Sequence, residues 1–355
     1  MKMLFNRAFR LLFERELNKS VKKTLLKIKG SSFSSMKLNS LKCQDLNSMS
    51  KVNIESFMSS FDTVLTDCDG VLWHGGQEIK GSSDAISIFR ELGKRVIFVT
   101  NNGVSRNDLL IRCQHMGFGG CLDDMVTASF VCAQYLKEKK LNKTVYVFGG
   151  KGLVDELTNA GIKSVGFEPD PMPERWDLET AEALVNSMEE NVGCVVVGFQ
   201  YDISYIKLLK AVTYLHNPEV LFLGTNSDPV AVLHFQNNKT CIMPASGSFI
   251  SAVRTASRRE PVILGKPNQV MFEAVKRVCP NIQPNRTLMI GDRADTDVLF
   301  GKNSDLITLM VGTGTNSRDD IFEWCNSNER AIQKLVPDYY SKSLIDVFMN
   351  YIRDR

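Results

Sequence analysis

Apolar positions along this chain follow two rhythms. Short runs at Thr63–Thr66, Arg95–Thr100, Val145–Phe148, Cys194–Phe199, Val220–Gly224, Val262–Gly265, Thr287–Ile290 and Ile307–Val311 lack polar alternation. They read as strands covered on both faces. Between them, Ser82–Leu92 and Asn107–Met116 carry apolar residues at helical spacing. This alternation predicts α/β architecture with a largely parallel sheet.

The start of the chain has a different pattern. Phe5, Phe9, Leu12, Leu17, Val21, Leu25 and Ile28 recur at nearly helical spacing, with Arg7, Arg10, Arg15, Lys19, Lys22, Lys23, Lys27 and Lys29 among them. A Ser/Asn-rich stretch follows to Ser60. Residues 1–58 are thus expected to be a basic amphipathic, partly disordered extension, with the folded body beginning near Phe61. Such a start resembles a mitochondrial transit segment, which leaves mitochondrial and cytoplasmic locations open; a membrane-surface helix or an extension without an address also fits. The Pro-rich stretch Glu168–Pro173 and the Glu260-Pro261 step mark changes of segment. They divide the body into a first core half at 59–156, an inserted lobe at 157–260 and a second core half at 261–355.

Charge changes the picture once it is divided. The 355-residue chain has a formal net charge of +3, yet residues 1–30 carry nine Lys or Arg against Glu14 and Glu16. The remainder is therefore net negative, which argues against a nucleic-acid-binding body. Nine cysteines include no Cys-x-x-Cys pair, so reduced thiols in an intracellular compartment are expected rather than a zinc site or a disulfide framework. No run of apolar residues is long enough to predict a transmembrane segment.

The chemistry gathers at strand ends. Asp67 and Asp69 close the apolar run that begins at Phe61, and Gly70 lets the chain turn away. Asp67 is the candidate nucleophile, and Asp69 the acid/base that protonates a leaving oxygen and then activates water. Two carboxylates facing a phosphate need positive charge between them. Magnesium suits this, held by Asp67, the backbone carbonyl of Asp69 and Asp292. Asp297 is a second candidate near the metal, binding through water or orienting Lys266, while Asp295 caps the loop. Thr100, Asn101 and Asn102 follow the run Val96–Val99; a hydroxyl and backbone amides there can grip phosphate oxygens. Lys266, in Leu264-Gly-Lys-Pro267, is the candidate cation for charge developing in phosphoryl transfer. Taken singly, an Asp-x-Asp is usually a cap and a Gly-Lys-Pro a turn. The ordered set supplies nucleophile, acid/base, phosphate grip and metal ligand together.

With Asp67-Cys-Asp69-Gly-Val-Leu-Trp73, Phe98-Val-Thr-Asn-Asn102, Gly265-Lys-Pro267 and Gly291-Asp292-Arg-x-Asp-Thr-Asp297, the chain resembles the haloacid-dehalogenase superfamily, in its phosphoglycolate/pyridoxal phosphatase branch. The resemblance covers about residues 59–315. It implies a Rossmann-like core with a large inserted α/β cap, and magnesium-dependent hydrolysis of a small phosphorylated metabolite. It also implies a homodimer joined through the caps. The chain departs from the pattern at Gly103, where a serine is usual, at Gln200 for an aspartate, at Ala294 for a leucine, and in Pro244-Ala-Ser-Gly247. Asp202 or Ile203 stands where pyridoxal phosphatases place a histidine. Phosphoglycolate is thus the default substrate, and Lys207 and Lys210 are candidates to meet its carboxylate. Trp73 is expected to pack the opening and His74 to sit on an entrance loop. Alternatives are a pyridoxal phosphate or phosphoprotein phosphatase, a phosphotransferase, or a catalytically weak binding protein that keeps the fold.

Overall fold

Strands alternate with helices through most of the chain. The structure, a computed structural model, describes residues 43–234 and 239–352. The basic run at the start, and the targeting expectation attached to it, lie outside the described residues.

In chain order the first strands are β1 (Gln44–Asp45), β2 (Thr63–Thr66), β3 (Trp73–His74), β4 (Gln77–Glu78), β5 (Arg95–Thr100) and β6 (Met125–Thr127). Then come β7 (Thr144–Phe148), β8 (Ser164–Val165), β9 (Val192–Val197), β10 (Leu221–Gly224), β11 (Val230–His234), β12 (Thr240–Pro244) and β13 (Val262–Ile263). The last are β14 (Thr287–Gly291), β15 (Ile307–Val311) and β16 (Tyr339–Ser341). Seven form one parallel sheet in the order β1-β16-β15-β14-β2-β5-β6. A second parallel sheet has the order β13-β10-β9-β7-β8. Two antiparallel hairpins, β3–β4 and β11–β12, stand apart from them.

Burial explains the unbroken apolar runs. Every residue of β2 and β14 is buried, and neighbours point to opposite faces. Val64 joins Phe61, Phe89, Phe98 and Phe348 on one side, while Leu65 joins Ile97, Val99 and Leu136 on the other. That second cluster continues into Val145, Val147, Cys194 and Val196, so the two sheets share one apolar core around helix Ala128–Glu138. Helix Ser82–Glu91 shows the usual logic, burying Ser82, Ala85, Ile86 and Phe89 along one stripe.

Two boundaries differ from the sequence reading. Residues 43–60 are part of the core rather than an extension. Gln44 pairs with Tyr339 in parallel register, and helix Lys51–Ser59 buries Ile54, Phe57 and Met58. Its Ser/Asn content masked an amphipathic helix capped by Ser50. The second sheet also begins at β7 and ends at β13, outside 157–260 on both sides. Their hydrogen bonds tie these strands to the inserted lobe, a distinction that hydrophobicity alone does not carry.

The site-forming feature is the place of β2. It lies between β14 and β5, so the chain leaves β2 in one direction and returns on its other side. Loops diverge from the carboxyl ends there and open a crevice.

Candidate active site

Register sets the site. Thr66 faces Ile290 on one side and Phe98 on the other, and the Asp67 amide donates to the Ile290 carbonyl at 2.8 Å. Asp67, Thr100 and Asp292 are therefore delivered by three adjacent strands. Gly70 then turns with φ +85°, and a Cβ there would lie 2.6 Å from the Asp292 carboxylate. Only glycine fits both conditions. The turn separates the paired aspartates, leaving Asp67 buried and Asp69 exposed. The Trp73 indole N–H donates to Asp69 Oδ1 at 2.9 Å, and Asn102 Nδ2 reaches Asp69 Oδ2 at 3.5 Å.

Lys266 occupies the centre and is 1% exposed. Its Nζ lies 2.8 Å from Asp67 Oδ1, 2.7 Å from Asp297 Oδ1 and 2.9 Å from the Val99 carbonyl. Three donors thus meet three acceptors. A π-helical turn, Ala294–Val298, brings Asp297 back under the strand end. There Asp297 Oδ2 accepts from the amides of Asp292 at 3.2 Å and Arg293 at 3.1 Å. Asp292 Oδ2 accepts from the Thr315 amide at 2.7 Å.

Electrostatics here are unbalanced. Burial pushes Asp67 well above the usual carboxylate range; Lys266 opposes the shift, and Asp297 and Asp292 add to it. Burial, then Asp297, raises Asp292 to about 6, against the Thr315 hydrogen bond and Lys266. Burial would lower Lys266, but Asp297 and Asp67 outweigh it and raise the ammonium above its ordinary value. Asp67, Asp292 and Asp297 each offer an oxygen within 4.8 Å of the others. Three hard oxygen donors with one cation among them fit a divalent ion such as magnesium. The Asp69 carboxylate lies outside that cluster, held instead by Trp73 and Asn102. Asp297, expected beside Lys266 or near a metal, pairs with Lys266 and is also a member of this carboxylate cluster.

The phosphate-grip segment is more divided than expected. Thr100 is buried, and its Oγ1 accepts from the Asn102 amide at 3.0 Å. The Asn101 side chain turns away: Oδ1 accepts from the Lys266 amide at 2.8 Å, while Nδ2 donates to the Lys266 carbonyl at 3.2 Å and Asp228 Oδ2 at 3.1 Å. Both ends of the Asn101 side-chain amide are thereby engaged within the protein. The Ser129 hydroxyl donates to the Gly103 carbonyl at 2.7 Å, placing a hydroxyl beside the glycine that lacks one.

The lobe candidates are engaged elsewhere. Lys207 is buried and its ammonium donates to the carbonyls of Gly166, Phe167 and Glu168 at 2.7, 3.1 and 2.8 Å. Lys210 pairs with Asp170 at 2.6 Å. Neither is free to meet a substrate carboxylate. Gln200 is buried, its amide 3.5 Å from the Phe167 carbonyl. Trp73 packs on Phe118 with Arg112 over its face, and His74 bonds the Thr313 carbonyl at 2.8 Å, so both fasten the β3–β4 hairpin. Asp295 pairs with Arg293 rather than reaching the cluster. Asn226, Asp228 and Arg293 also line the site, unanticipated from the sequence; the one available signal was the polar interruption Thr225–Asp228 after an apolar strand.

Residues 64–163 match the haloacid dehalogenase-like hydrolase model, and residues 263–346 match a HAD-hydrolase-like model. Glycerol-3-phosphate phosphatase of Rattus norvegicus is 35% identical over 303 residues, covering 82% of this chain and 91% of that one. Phosphoglycolate phosphatase 2 of Arabidopsis thaliana is 35% identical over 307 residues, covering 84% and 96%. Among solved structures, p-nitrophenyl phosphatase from Archaeoglobus fulgidus aligns with a TM-score of 0.65 at 27% identity, covering 81% of this chain and 98% of that one.

Proposed function

The chain belongs to the haloacid dehalogenase-like hydrolases, and we propose that it hydrolyses small phosphomonoesters with magnesium through an aspartyl-phosphate on Asp67. The observation that carries this reading is the Asp67–Lys266–Asp292 constellation at the switch point of the parallel sheet.

In the first step an Asp67 carboxylate oxygen forms a bond to phosphorus while the ester oxygen leaves. Asp69, protonated, gives its proton to that oxygen and releases an alcohol. In the second step Asp69 takes a proton from water, whose oxygen attacks the same phosphorus; inorganic phosphate leaves and the Asp67 carboxylate is restored. Lys266 favours the charged form of Asp67 against burial and aims it, and Thr100 with the backbone amides after it receives the equatorial oxygens. A magnesium ion held by Asp67, Asp292 and the Asp69 carbonyl would supply positive charge to the phosphoryl oxygens.

For the substrate, phosphoglycolate requires a cation to meet its carboxylate. Lys207 and Lys210, the lobe residues expected there, are tied to carbonyls and to Asp170. This favours a neutral polyol monophosphate, the chemistry named by the glycerol-3-phosphate phosphatase relatives. The exposed Val230, Val232 and Ile242 of the β11–β12 hairpin suit a homodimer joined through the inserted lobes.

Phosphate release from glycerol phosphate, phosphoglycolate, pyridoxal phosphate and p-nitrophenyl phosphate tests this, with magnesium or chelator and with Asp67→Asn. We expect magnesium-dependent release, fastest with glycerol phosphate and lost in the variant. Release that survives Asp67→Asn would overturn the mechanism. Absence of release by folded, magnesium-loaded protein would favour a binding protein that keeps the fold.

A further inference from the structure

We propose that Asp228, a residue of the inserted lobe held by Arg293, is a positioning residue that sets Lys266 for catalysis through Asn101. This rests on the phosphomonoesterase reading above.

The geometry begins at Lys266. Its peptide group is read on both sides by one amide, because Asn101 Oδ1 accepts from its N–H at 2.8 Å and Asn101 Nδ2 donates to its C=O at 3.2 Å. That double contact fixes which way the Asn101 amide points, since the reverse orientation would set N–H against N–H and C=O against C=O. The contact is close enough to require glycine before it: a Cβ at Gly265 would lie 2.6 Å from Asn101 Oδ1. Nδ2 then has one hydrogen left, and that hydrogen points to Asp228 Oδ2 at 3.1 Å. The other oxygen of Asp228 accepts from Arg293 Nη1 at 2.9 Å. A single carboxylate therefore spans the loop after β5 and the loop after β14.

Asp228 is itself held firmly. Its amide donates to Asn226 Oδ1 at 3.0 Å, and Asn226 Nδ2 donates to the Asn101 carbonyl at 2.8 Å and to Ser246 Oγ at 3.2 Å. Its carbonyl accepts from the Gly247 amide at 2.8 Å. The ion pair is shielded, with side chains 18% exposed for Asp228 and 25% for Arg293. Surface pairs of long side chains contribute little; a shielded carboxylate with two fixed partners holds geometry. Its backbone belongs to the lobe and both partners belong to the core, so lobe placement is read directly by the loop that carries the central lysine. A shift of about 1 Å in such a group is enough to change turnover severely.

Asp228→Asn tests the link at constant side-chain volume. It keeps an acceptor for Arg293 but presents an N–H to Asn101, turning the amide that holds Lys266. With p-nitrophenyl phosphate and magnesium, kcat should fall about tenfold while KM stays within about twofold, because Lys266 acts on the nucleophile and on charge that develops in the transition state. In a cycle with Arg293→Gln, the double variant should be no slower than the slower single variant. Arg259→Gln, which removes donors to the carbonyls of Leu215, Asn217 and Pro218 elsewhere in the lobe, should lower the melting temperature and leave kcat unchanged. If Asp228→Ala fails to fold, the isosteric Asn variant still decides the matter. A folded Asp228→Asn protein with kcat within twofold of wild type, or strictly additive losses in the cycle, overturns the inference. Wild-type protein without turnover overturns the phosphatase reading instead, so the two failures are distinct.

Discussion

Lys266 is the residue on which the electrostatics of the site turn. Its ammonium separates Asp67 from Asp297, both within 2.8 Å, and it is sealed from water. Lys266→Met would keep the volume of the stem and leave two buried carboxylates facing each other. We expect a loss of about 3–5 kcal/mol in urea unfolding, the usual consequence of stripping one partner from a buried pair, together with loss of phosphatase turnover. A variant as stable as wild type would mean that the carboxylates take up protons or water at little cost. Gly70 answers a steric question at the same place. Gly70→Ala puts a Cβ 2.6 Å from the Asp292 carboxylate and holds a non-glycine residue at φ +85°. Magnesium affinity, read by activity against metal concentration, should fall at least about tenfold, since a displaced ligand typically costs that much or more. Unchanged affinity would remove Asp292 from the metal site. At this scale much was legible in the sequence: the paired aspartates, the lysine loop and the second acidic strand end each carry their chemistry in residue type and order. The braces were not. Asp228 lies 127 residues from Asn101 along the chain, and only the folded sheet brings them together.

Elements were legible where their burial was complete and their length sufficient. β2, β5, β14 and β15 appear as apolar runs because helices cover both faces of the sheet. β1, β6 and β16 have two or three residues each, too few for any period to register. The segment 43–60 escaped for a related reason: its helix has a short apolar stripe in a Ser/Asn-rich background. The structure gives that stripe weight. Phe57 is 3% exposed, with its ring centroid 4.6 Å from Tyr339 and 5.2 Å from Phe61. Phe57→Ala should destabilise the protein by about 3–5 kcal/mol through lost burial and the cavity left behind, measured as a lower urea midpoint with unchanged slope. A detachable extension would show no change, and that result would return residues 43–60 to a peripheral role.

For the molecule as a whole, the cluster of acids predicts how stability depends on metal and pH together. Burial holds Asp67 and Asp292 above the ordinary carboxylate value, Asp292 at about 6. In the unfolded chain both return to about 3.9. Between those values the folded protein binds more protons than the unfolded one, so without metal this cluster's contribution to stability falls as pH rises through the window. A divalent ion reverses the trend, because it binds the deprotonated acids and competes with protons for the same oxygens. At a concentration of 100 times its dissociation constant it adds about 2.7 kcal/mol to the folded state. The melting temperature with magnesium minus that with chelator should therefore be small near pH 4.5 and grow steadily to pH 7. Taking the difference at each pH cancels every other titrating group that the metal does not touch. Asp292→Asn sharpens the test, since it removes one of the repelling charges and one of the ligands. The variant should be more stable than wild type in chelator at pH 7 and should gain little from magnesium. A magnesium increment that is the same at both pH values, or that survives in Asp292→Asn, would place the ion away from these carboxylates and leave their mutual repulsion to Lys266 alone.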